Sequence, residues 1–148
     1  VPIHAIIAQN VRRNEGSPLS QIKSCNYGDN ILALLDARDK GANEAILLNN
    51  AGHVTCASAG NIFAVINGRL VTPPLCDGVM NGITRSLIIE SHDVIERSIS
   101  ALELKNCDGV YITNSIRGIN PINSLNGEAL PLPSSSLKIN EAKIREND

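Results

Sequence analysis

The first half of the chain alternates short apolar runs with polar, glycine-containing breaks, a pattern typical of β-strands joined by turns. The stretch 1–10, "VPIHAIIAQN", is rich in apolar and β-branched residues and predicts a strand. Four more apolar runs follow, "EAILLN", "HVTC", "NIFAVI" and "RLVTP", with Asn67-Gly68 between the last two. Because Asn-Gly is a strong hairpin signal, these runs predict an antiparallel meander.

Helical spacing interrupts this pattern on both sides of the meander. The stretch 29–41 places Ile31, Leu34 and Leu35 at helical intervals and predicts an amphipathic helix that ends near Gly41. A second helix is predicted to begin near Ile83 or Thr84.

The second half adds a short helix, more strands and a polar terminus. Ser100 and Glu103 have the spacing of a capping box, which predicts a helix start. "GVYIT" predicts a strand, Asn126-Gly127 predicts a hairpin, and "INEAKIREND" predicts a terminal helix. Together these elements predict an α+β fold, with a twisted, mostly antiparallel sheet or partial barrel flanked by helices.

Composition narrows the possible partners. A chain of 148 residues with 43% apolar content predicts one domain, 1–148, and a formal charge of -2 without a basic cluster argues against nucleic acid or a membrane surface. The four cysteines form no C-x-x-C pair, so no metal site is predicted. Without a signal peptide or long apolar run, a cytoplasmic protein is expected, although a leader removed before Val1 stays open.

Two short motifs could each hold an anion. In "NGITR", Gly82 precedes a helix start that would direct free N–H groups and the Thr84 hydroxyl at a phosphate, although a plain glycine turn with a threonine cap also explains it. Asn114 and Ser115 follow an apolar strand, where they are also ordinary turn residues. With Lys23, these motifs supply what pyridoxal phosphate needs, an amine for the aldehyde and donors for the phosphate.

Four motifs in order resemble one family. The chain is similar to the C-terminal half of the class IV (fold type IV) pyridoxal-phosphate enzymes, which include branched-chain and D-amino-acid aminotransferases and 4-amino-4-deoxychorismate lyases. The resemblance runs from about residue 12 to residue 132. It rests on the segments "IKSCNY", "EAILLNNAGHVTCASAGNIFAVINGRLVTPP", "VMNGITR" and "VYITNSIRGINPI".

The resemblance implies a role for each matching position. Lys23 matches the catalytic lysine that forms a Schiff base, the internal aldimine, with pyridoxal 5'-phosphate and later moves the Cα proton. Cofactor-binding roles are implied for the positions that match the phosphate contacts and the ring contacts: Ile83, Thr84, Asn114 and Ser115 for the phosphate, and Met80 and Cys56 for the ring. Ile116 and Arg117 match positions that contact the substrate carboxylate.

Two departures from the family bear on activity. The family carries a glutamate at the position of Cys56, where it keeps the pyridine nitrogen protonated, and a neutral thiol would do this less well. Family members also have an N-terminal domain, absent here, that contributes an arginine and substrate contacts. Three explanations of the missing domain are open: a proteolysed fragment, a single excised domain and a natural half-protein. The start at Val1 favours a fragment or processed chain.

Among family activities, "YITNSIRGINPI" followed by a short "LNG" hairpin looks most like the lyases. The expected function is therefore that of a 4-amino-4-deoxychorismate lyase of folate biosynthesis, which releases pyruvate and 4-aminobenzoate. A branched-chain or D-amino-acid aminotransferase is the alternative enzyme, and an inactive half-domain is the alternative of another class. The resemblance also implies a small amino-acid-like substrate and a homodimer.

Overall fold

The computed structural model of the protein describes residues 1–22, 27–133, 139, 141 and 144. Within them it contains ten strands and three α-helices. The strands are β1 (His4–Ile7), β2 (Glu44–Leu48), β3 (Val54–Ala57), β4 (Gly60–Ile66), β5 (Arg69–Thr72), β6 (Val94–Glu96), β7 (Gly109–Asn114), β8 (Gly118–Pro121), β9 (Ser124–Leu125) and β10 (Glu128–Ala129). The helices are α1 (Gly28–Asp39), α2 (Ile83–Ser91) and α3 (Ala101–Lys105). The predicted terminal helix falls largely on residues outside the described ones.

All ten strands belong to one mixed sheet. Its main path runs β10-β9-β1-β2-β3-β4-β5-β6, and β7 pairs with β4 and with β8. The pairs β1-β2, β1-β9 and β5-β6 are parallel, whereas the other six pairs within the described residues are antiparallel. The predicted α+β class and mostly antiparallel sheet are therefore confirmed. Strand β4 pairs with β3, β5 and β7, so it is the strand from which the sheet branches.

The local turn signals are confirmed. Strands β2 to β5 form the predicted antiparallel meander. Asn67 and Gly68 have φ values of 50° and 72°, and Asn126 and Gly127 have φ values of 50° and 83°. Positive φ at both central residues is the geometry of the type I′ hairpin turn, which Asn-Gly adopts with little strain.

Residues near both ends of the described chain meet at β1. This strand lies between β2 and β9 and is parallel to both. The side chain of Asn123 accepts a hydrogen bond from the Ile3 N–H at 2.8 Å, and that of Asn126 accepts one from the Ile7 N–H at 2.9 Å. Two asparagine amides thus fix the register of the N-terminal strand.

The core lies on both faces of the sheet. One face carries a large cluster with α3 packed on it, and the opposite face carries two smaller clusters. The large cluster includes Ile46, Val54, Ile62, Ile99, Leu104 and Ile112. The cluster beneath α1 comprises Ile6, Ala8, Ala33, Ala37, Ala45, Leu47 and Cys56. The cluster beneath α2 comprises Phe63, Val65, Leu70, Ile88, Tyr111, Ile139 and Ile144.

The helices agree with the predicted positions but differ in the surface that they bury. In α3, Ser100 Oγ accepts from the Glu103 N–H at 3.0 Å, and the predicted capping box is confirmed. In α1 the predicted burial is wrong, because Ile31 and Leu35 are exposed while Ala33 and Ala37 are fully buried. Small side chains allow the helix to lie close to the sheet. Within the described residues, no helix has the length and apolar character needed to cross a membrane.

Candidate functional site

A row of polar side chains lies between α1 and α2 on the face of the sheet that both helices cover. Cys56 of β3 pairs with Asn61 of β4, and Asn61 pairs with Thr113 of β7. Because directly paired residues project from the same face of a sheet, these three side chains form one continuous row. The row borders the α1 cluster at Cys56 and the α2 cluster beyond Asn61 and Thr113.

Asn61 connects this row to the turn that precedes α2. Its Nδ2 donates to the Met80 carbonyl at 2.9 Å. A Cβ at Gly82 would lie 2.6 Å from Asn61 Oδ1, closer than real Cβ contacts allow. Gly82 is therefore needed for the turn to approach the sheet, and it brings Met80 and the start of α2 to the polar row.

The start of α2 has the geometry expected of an anion site. The helix begins at Ile83, and Gly82 is the N-cap residue without a side-chain cap. Ile83 is 73% exposed, and Thr84 is half-buried in the same first turn. Helix N-termini carry partial positive charge and N–H groups that lack partners within the helix. The predicted helix start is confirmed, and phosphate binding by Ile83 and Thr84 stays a prediction.

The turn between β7 and β8 is organised by one asparagine. Asn114 Nδ2 donates to the Ala59 carbonyl at 2.8 Å, which connects this turn to the β3-β4 turn. Asn114 Oδ1 accepts from the N–H groups of Ile116 at 3.0 Å and Arg117 at 2.6 Å. Ser115, Ile116 and Arg117 are exposed. At the two residues that the resemblance assigns to a substrate carboxylate, the backbone N–H groups are therefore already hydrogen-bonded by a side chain of the protein itself.

Cys56 is a neutral thiol in this environment. It is 7% exposed, and Thr55 Oγ1 lies 3.6 Å from its Sγ. Burial raises the pKa of the Cys56 thiol above its ordinary value, and the nearby positive charge of Arg13 offsets this only in part. The thiol therefore stays protonated at neutral pH and is a poor substitute for a carboxylate.

The catalytic assignment to Lys23 lies outside the described residues, as do residues 24–26. The chain on the N-terminal side of this gap is anchored to the loop before α2. Arg13 Nη2 donates to the Gly78 carbonyl at 2.9 Å and also to the Ser20 carbonyl. Gln21 Nε2 donates to a carbonyl of the same loop, that of Leu75, at 3.2 Å.

The chain on the C-terminal side of the gap is anchored to the β3-β4 turn. Asn30 Nδ2, in the first turn of α1, donates to the Ser58 carbonyl at 2.8 Å. The same turn receives the hydrogen bond from Asn114. Both ends of the segment that contains Lys23 are thus attached to loops that border the polar row.

Three residues of this region were not predicted from the sequence: Arg13, Asn61 and Arg85. A polar residue at the start of the apolar run "NIFAVI" was a usable signal for Asn61. Thr113 is 1% exposed, and its Oγ1 has no hydrogen-bond partner among the described residues. Burial of Arg85 has no local sequence signal, because the partners that make it tolerable lie on other elements. Among the described residues, no three potential metal ligands come together.

The sequence matches the family model described as "Amino-transferase class IV" over residues 1–125. A branched-chain-amino-acid aminotransferase of Salmonella typhimurium is 32% identical over 107 residues, which are 69% of this chain and 35% of that protein. Other curated relatives are matched over 40% or less of their length.

Solved structures are similar over nearly the whole chain. One, from Legionella pneumophila, is named "Putative 4-amino-4-deoxychorismate lyase"; it is 31% identical, with a TM-score of 0.86, and the match covers 99% of this chain and 55% of that one. Another is the branched-chain amino acid aminotransferase of Thermobaculum terrenum in its PLP form, which is 26% identical, with a TM-score of 0.86 and coverages of 99% and 51%. The chain thus spans about half the length of these structures.

Proposed function

Because the chain belongs to the class IV aminotransferase family, we propose that it is the lysine-bearing half of a pyridoxal-phosphate-dependent enzyme. Within that family we propose the activity of a 4-amino-4-deoxychorismate lyase, which converts its substrate to 4-aminobenzoate and pyruvate. The carrying observation is that Asn114 Oδ1 occupies the N–H groups of Ile116 and Arg117.

The residues around the polar row fit the phosphate of this cofactor. The N-terminus of α2 offers partial positive charge, with the Thr84 hydroxyl beside it. The lack of a side chain at Gly82 lets the helix start lie close to Asn61, and the buried Thr113 hydroxyl lacks a partner among the described residues. In this proposal the phosphate binds at Ile83 and Thr84, with Ser115 as a second hydroxyl donor. Asn114 would act by shaping the turn.

Lys23 is proposed to carry the chemistry. When bound, pyridoxal phosphate supplies an aldehyde that condenses with amines and a ring that accepts electrons from the reacting carbon. Lys23 would hold the cofactor through its amine, then take the proton from the substrate carbon. The anchors at Ser20 and Asn30 support this assignment, since they attach the flanking chain to loops that border the polar row.

The substrate class follows from the turn at Asn114. An amino acid carries a carboxylate on the carbon that bears its amine, and such a carboxylate needs donors close to the reacting carbon. In 4-amino-4-deoxychorismate the amine is on a ring carbon that has no carboxylate. A turn whose two N–H groups are already hydrogen-bonded by Asn114 suits the second kind of substrate better.

The neutral thiol at Cys56 supports the same choice. A ring without a carboxylate partner at its nitrogen accepts electrons less readily, which penalises transamination. The lyase reaction creates an aromatic ring in its product, so it depends less on the cofactor ring. Burial keeps Cys56 protonated and therefore leaves this difference in place. Met80, half-buried in the turn held by Asn61, would pack against the ring.

A second candidate is a branched-chain amino acid aminotransferase, favoured by the identity with the Salmonella typhimurium enzyme. A non-catalytic half-domain is the remaining reading.

Since the structures that it matches are about twice as long, we propose that the active unit also needs an N-terminal domain and a second copy of the chain. We also propose that this active unit is located in the cytoplasm.

Cofactor attachment is the first test. The chain is incubated with pyridoxal phosphate, reduced with borohydride and digested, and the modified peptide is identified by mass spectrometry. The expected label is one pyridoxyl phosphate group on Lys23. Lys40→Ala, at an exposed lysine paired with Asp36, should leave the label unchanged, whereas Lys23→Ala should remove it. Labelling of other lysines alone would reject the assignment.

Substrate choice is the second test. The full-length protein, loaded with pyridoxal phosphate, is supplied separately with 4-amino-4-deoxychorismate and with leucine plus 2-oxoglutarate. Pyruvate release from the first mixture alone supports the lyase. Formation of the leucine-derived 2-oxo acid supports the aminotransferase. Neither product from a full-length protein that carries the Lys23 label supports the non-catalytic reading.

A further inference from the structure

Arg85 is a buried cation in the first turn of α2. Its side chain is 2% exposed, whereas that of its partner Glu96 is 45% exposed. The guanidinium donates to Glu96 Oε1 at 2.8 Å, to the Pro73 carbonyl at 3.1 Å and to Asn81 Oδ1 at 2.9 Å. One side chain thus connects β6, the loop after β5 and the turn before α2.

This placement is unfavourable for the stability of the folded protein on three grounds. A positive side chain in the first helical turn opposes the positive end of the helix dipole. Burial removes the guanidinium from water, and the half-exposed Glu96 offsets this only in part. Arg85 Nε is buried and has no hydrogen-bond partner among the described residues. A negative ligand at the start of α2 would relieve the first of these, since it interacts favourably with both the dipole and the guanidinium.

The turn before α2 depends on Asn81, which is itself exposed. Asn81 Oδ1 accepts from Arg85 Nη1 and from Ser86 Oγ, both at 2.9 Å. From the other side, Asn61 donates to the carbonyl of Met80. The residues before Ile83 are therefore held between the sheet and the buried guanidinium. Any change in the Arg85-Asn81 contact would alter the direction of the first N–H groups of the helix.

We propose that Arg85 is a positioning residue for the phosphate group of the bound cofactor, acting through Asn81 on the turn at 81–84. This inference rests on the proposed function, because it takes pyridoxal phosphate as the ligand at this helix start. Arg85 does not itself contact the ligand in this proposal. Its effect should therefore be confined to the phosphate and should not extend to the pyridine ring.

A pair of ligands isolates that effect. Dissociation constants for pyridoxal phosphate and for pyridoxal, which lacks the phosphate, are measured by absorbance with the chain and with Arg85→Lys. Lysine keeps the charge but offers one compact head that cannot reach three acceptors in a fixed fork. Pyridoxal phosphate should bind about 10- to 100-fold more weakly, the range for a lost charge-assisted hydrogen bond. Pyridoxal should change by less than about threefold.

Asn81→Ala keeps the inference testable if Arg85→Lys fails to fold. Asn81 is exposed, so its truncation should leave the core intact, and it should produce the same selective loss for pyridoxal phosphate. Arg69→Lys is the matched control, because Arg69 makes an exposed ion pair with Asp93 at 3.1 Å and should change neither affinity.

Each outcome decides. A selective loss in both variants supports the positioning role. Equal losses for the two ligands, or no loss, would overturn it and leave the proposed cofactor site standing. A wild-type chain that binds neither ligand would reject the proposed cofactor site, and the role of Arg85 would be rejected with it.

Discussion

Helices α1 and α2 pack on the same face of one sheet, yet they bury different kinds of residue, small apolar ones in α1 and large apolar or charged ones in α2. Helix α1 buries Ala33 and Ala37 and exposes Leu35. Helix α2 buries Ile88 and the charged Arg85. Hydrophobicity alone therefore does not decide which side of a helix faces this sheet. In α1, the short distance between helix and sheet favours small side chains on the buried side. In α2, Arg85 can be buried because it has hydrogen-bond partners on other elements.

The difference matches the position of each helix relative to the polar row. Helix α1 covers an apolar cluster that contains two alanines, Ala8 and Ala45, and the small Cys56 besides its own two alanines. Helix α2 covers an apolar cluster along its length but presents its first turn to Asn61 and the polar row. Helix α1 therefore mainly covers apolar side chains of the strands beneath it. Helix α2 packs on the core along its length and contacts polar residues at its N-terminal end.

The largest expected effect contrasts one apolar residue from each helix. Ile88→Ala in α2 removes a side chain that is 0% exposed and should lower the free energy of unfolding by about 2–5 kcal/mol. Leu35→Ala in α1 removes one that is 49% exposed and should change it by less than about 0.5 kcal/mol. Urea denaturation of both variants measures the two values. Equal losses would mean that the α1 surface is buried in solution.

The close approach of α1 is tested by enlarging its buried side. Ala37→Leu places a large side chain where the helix contacts the sheet, and overpacking of this kind destabilises proteins by about 1–3 kcal/mol. Arg38→Leu, one position along on the exposed side, is the control and should be near neutral. The measurement is again urea denaturation. The midpoint should shift while the dependence of the free energy of unfolding on urea concentration stays the same. A neutral Ala37→Leu would contradict the tight contact.

The thiol beneath α1 predicts a dependence of stability on alkaline pH. Burial raises the pKa of Cys56, so the folded protein keeps its proton at pH values where the unfolded chain, near its ordinary pKa of about 8.5, loses it. The stabilising contribution is full below that value and is lost as the pH rises through the folded pKa, with a slope of at most about 1.4 kcal/mol per pH unit.

Cys56→Ala should reduce this alkaline decline, measured as the free energy of unfolding at a series of pH values. Part of the decline should remain, because burial also raises the pKa of Cys107. Cys76→Ala, at an exposed position, is the control and should leave the slope as it is. An unchanged slope in the Cys56 variant would show that its thiol titrates normally.

The smallest expected effect concerns the exposed ion pair of α1. Lys40 Nζ lies 2.8 Å from Asp36 Oδ2 at the C-terminal end of the helix. Exposed pairs at this spacing contribute about 0.3–0.5 kcal/mol, so Lys40→Ala should lower stability by no more than that. The loss should disappear in high salt, since salt screens exposed charges. A larger, salt-independent loss would place this pair among buried interactions.

Features set by a few adjacent residues could be predicted from the sequence. The Asn67-Gly68 and Asn126-Gly127 hairpins and the Ser100 capping box form as predicted, because their geometry depends on local backbone preferences. The start of α2 at Ile83 belongs with these. Such features need no information about distant parts of the chain.

Features set by contacts between distant parts of the chain could not be predicted from the sequence. The parallel pairing of β1 with β9 joins residues 120 positions apart, and no local pattern records it. The same limit applies to the buried side of α1, where larger apolar residues predicted the wrong surface. In the candidate site, the turns at 83–84 and 114–117 were identified by their residue types. The engagement of Ile116 and Arg117 by Asn114 depends on a rotamer that residue types do not reveal.

The position of β1 has a consequence during synthesis. On the ribosome this strand is made before both of its neighbours, and the second of them, β9, is not complete until residue 125. Until then β1 has an open edge that any other strand could occupy, and such edges favour aggregation. A nascent chain halted before Ser124 should therefore bind holdase chaperones more strongly than one in which β9 has been made.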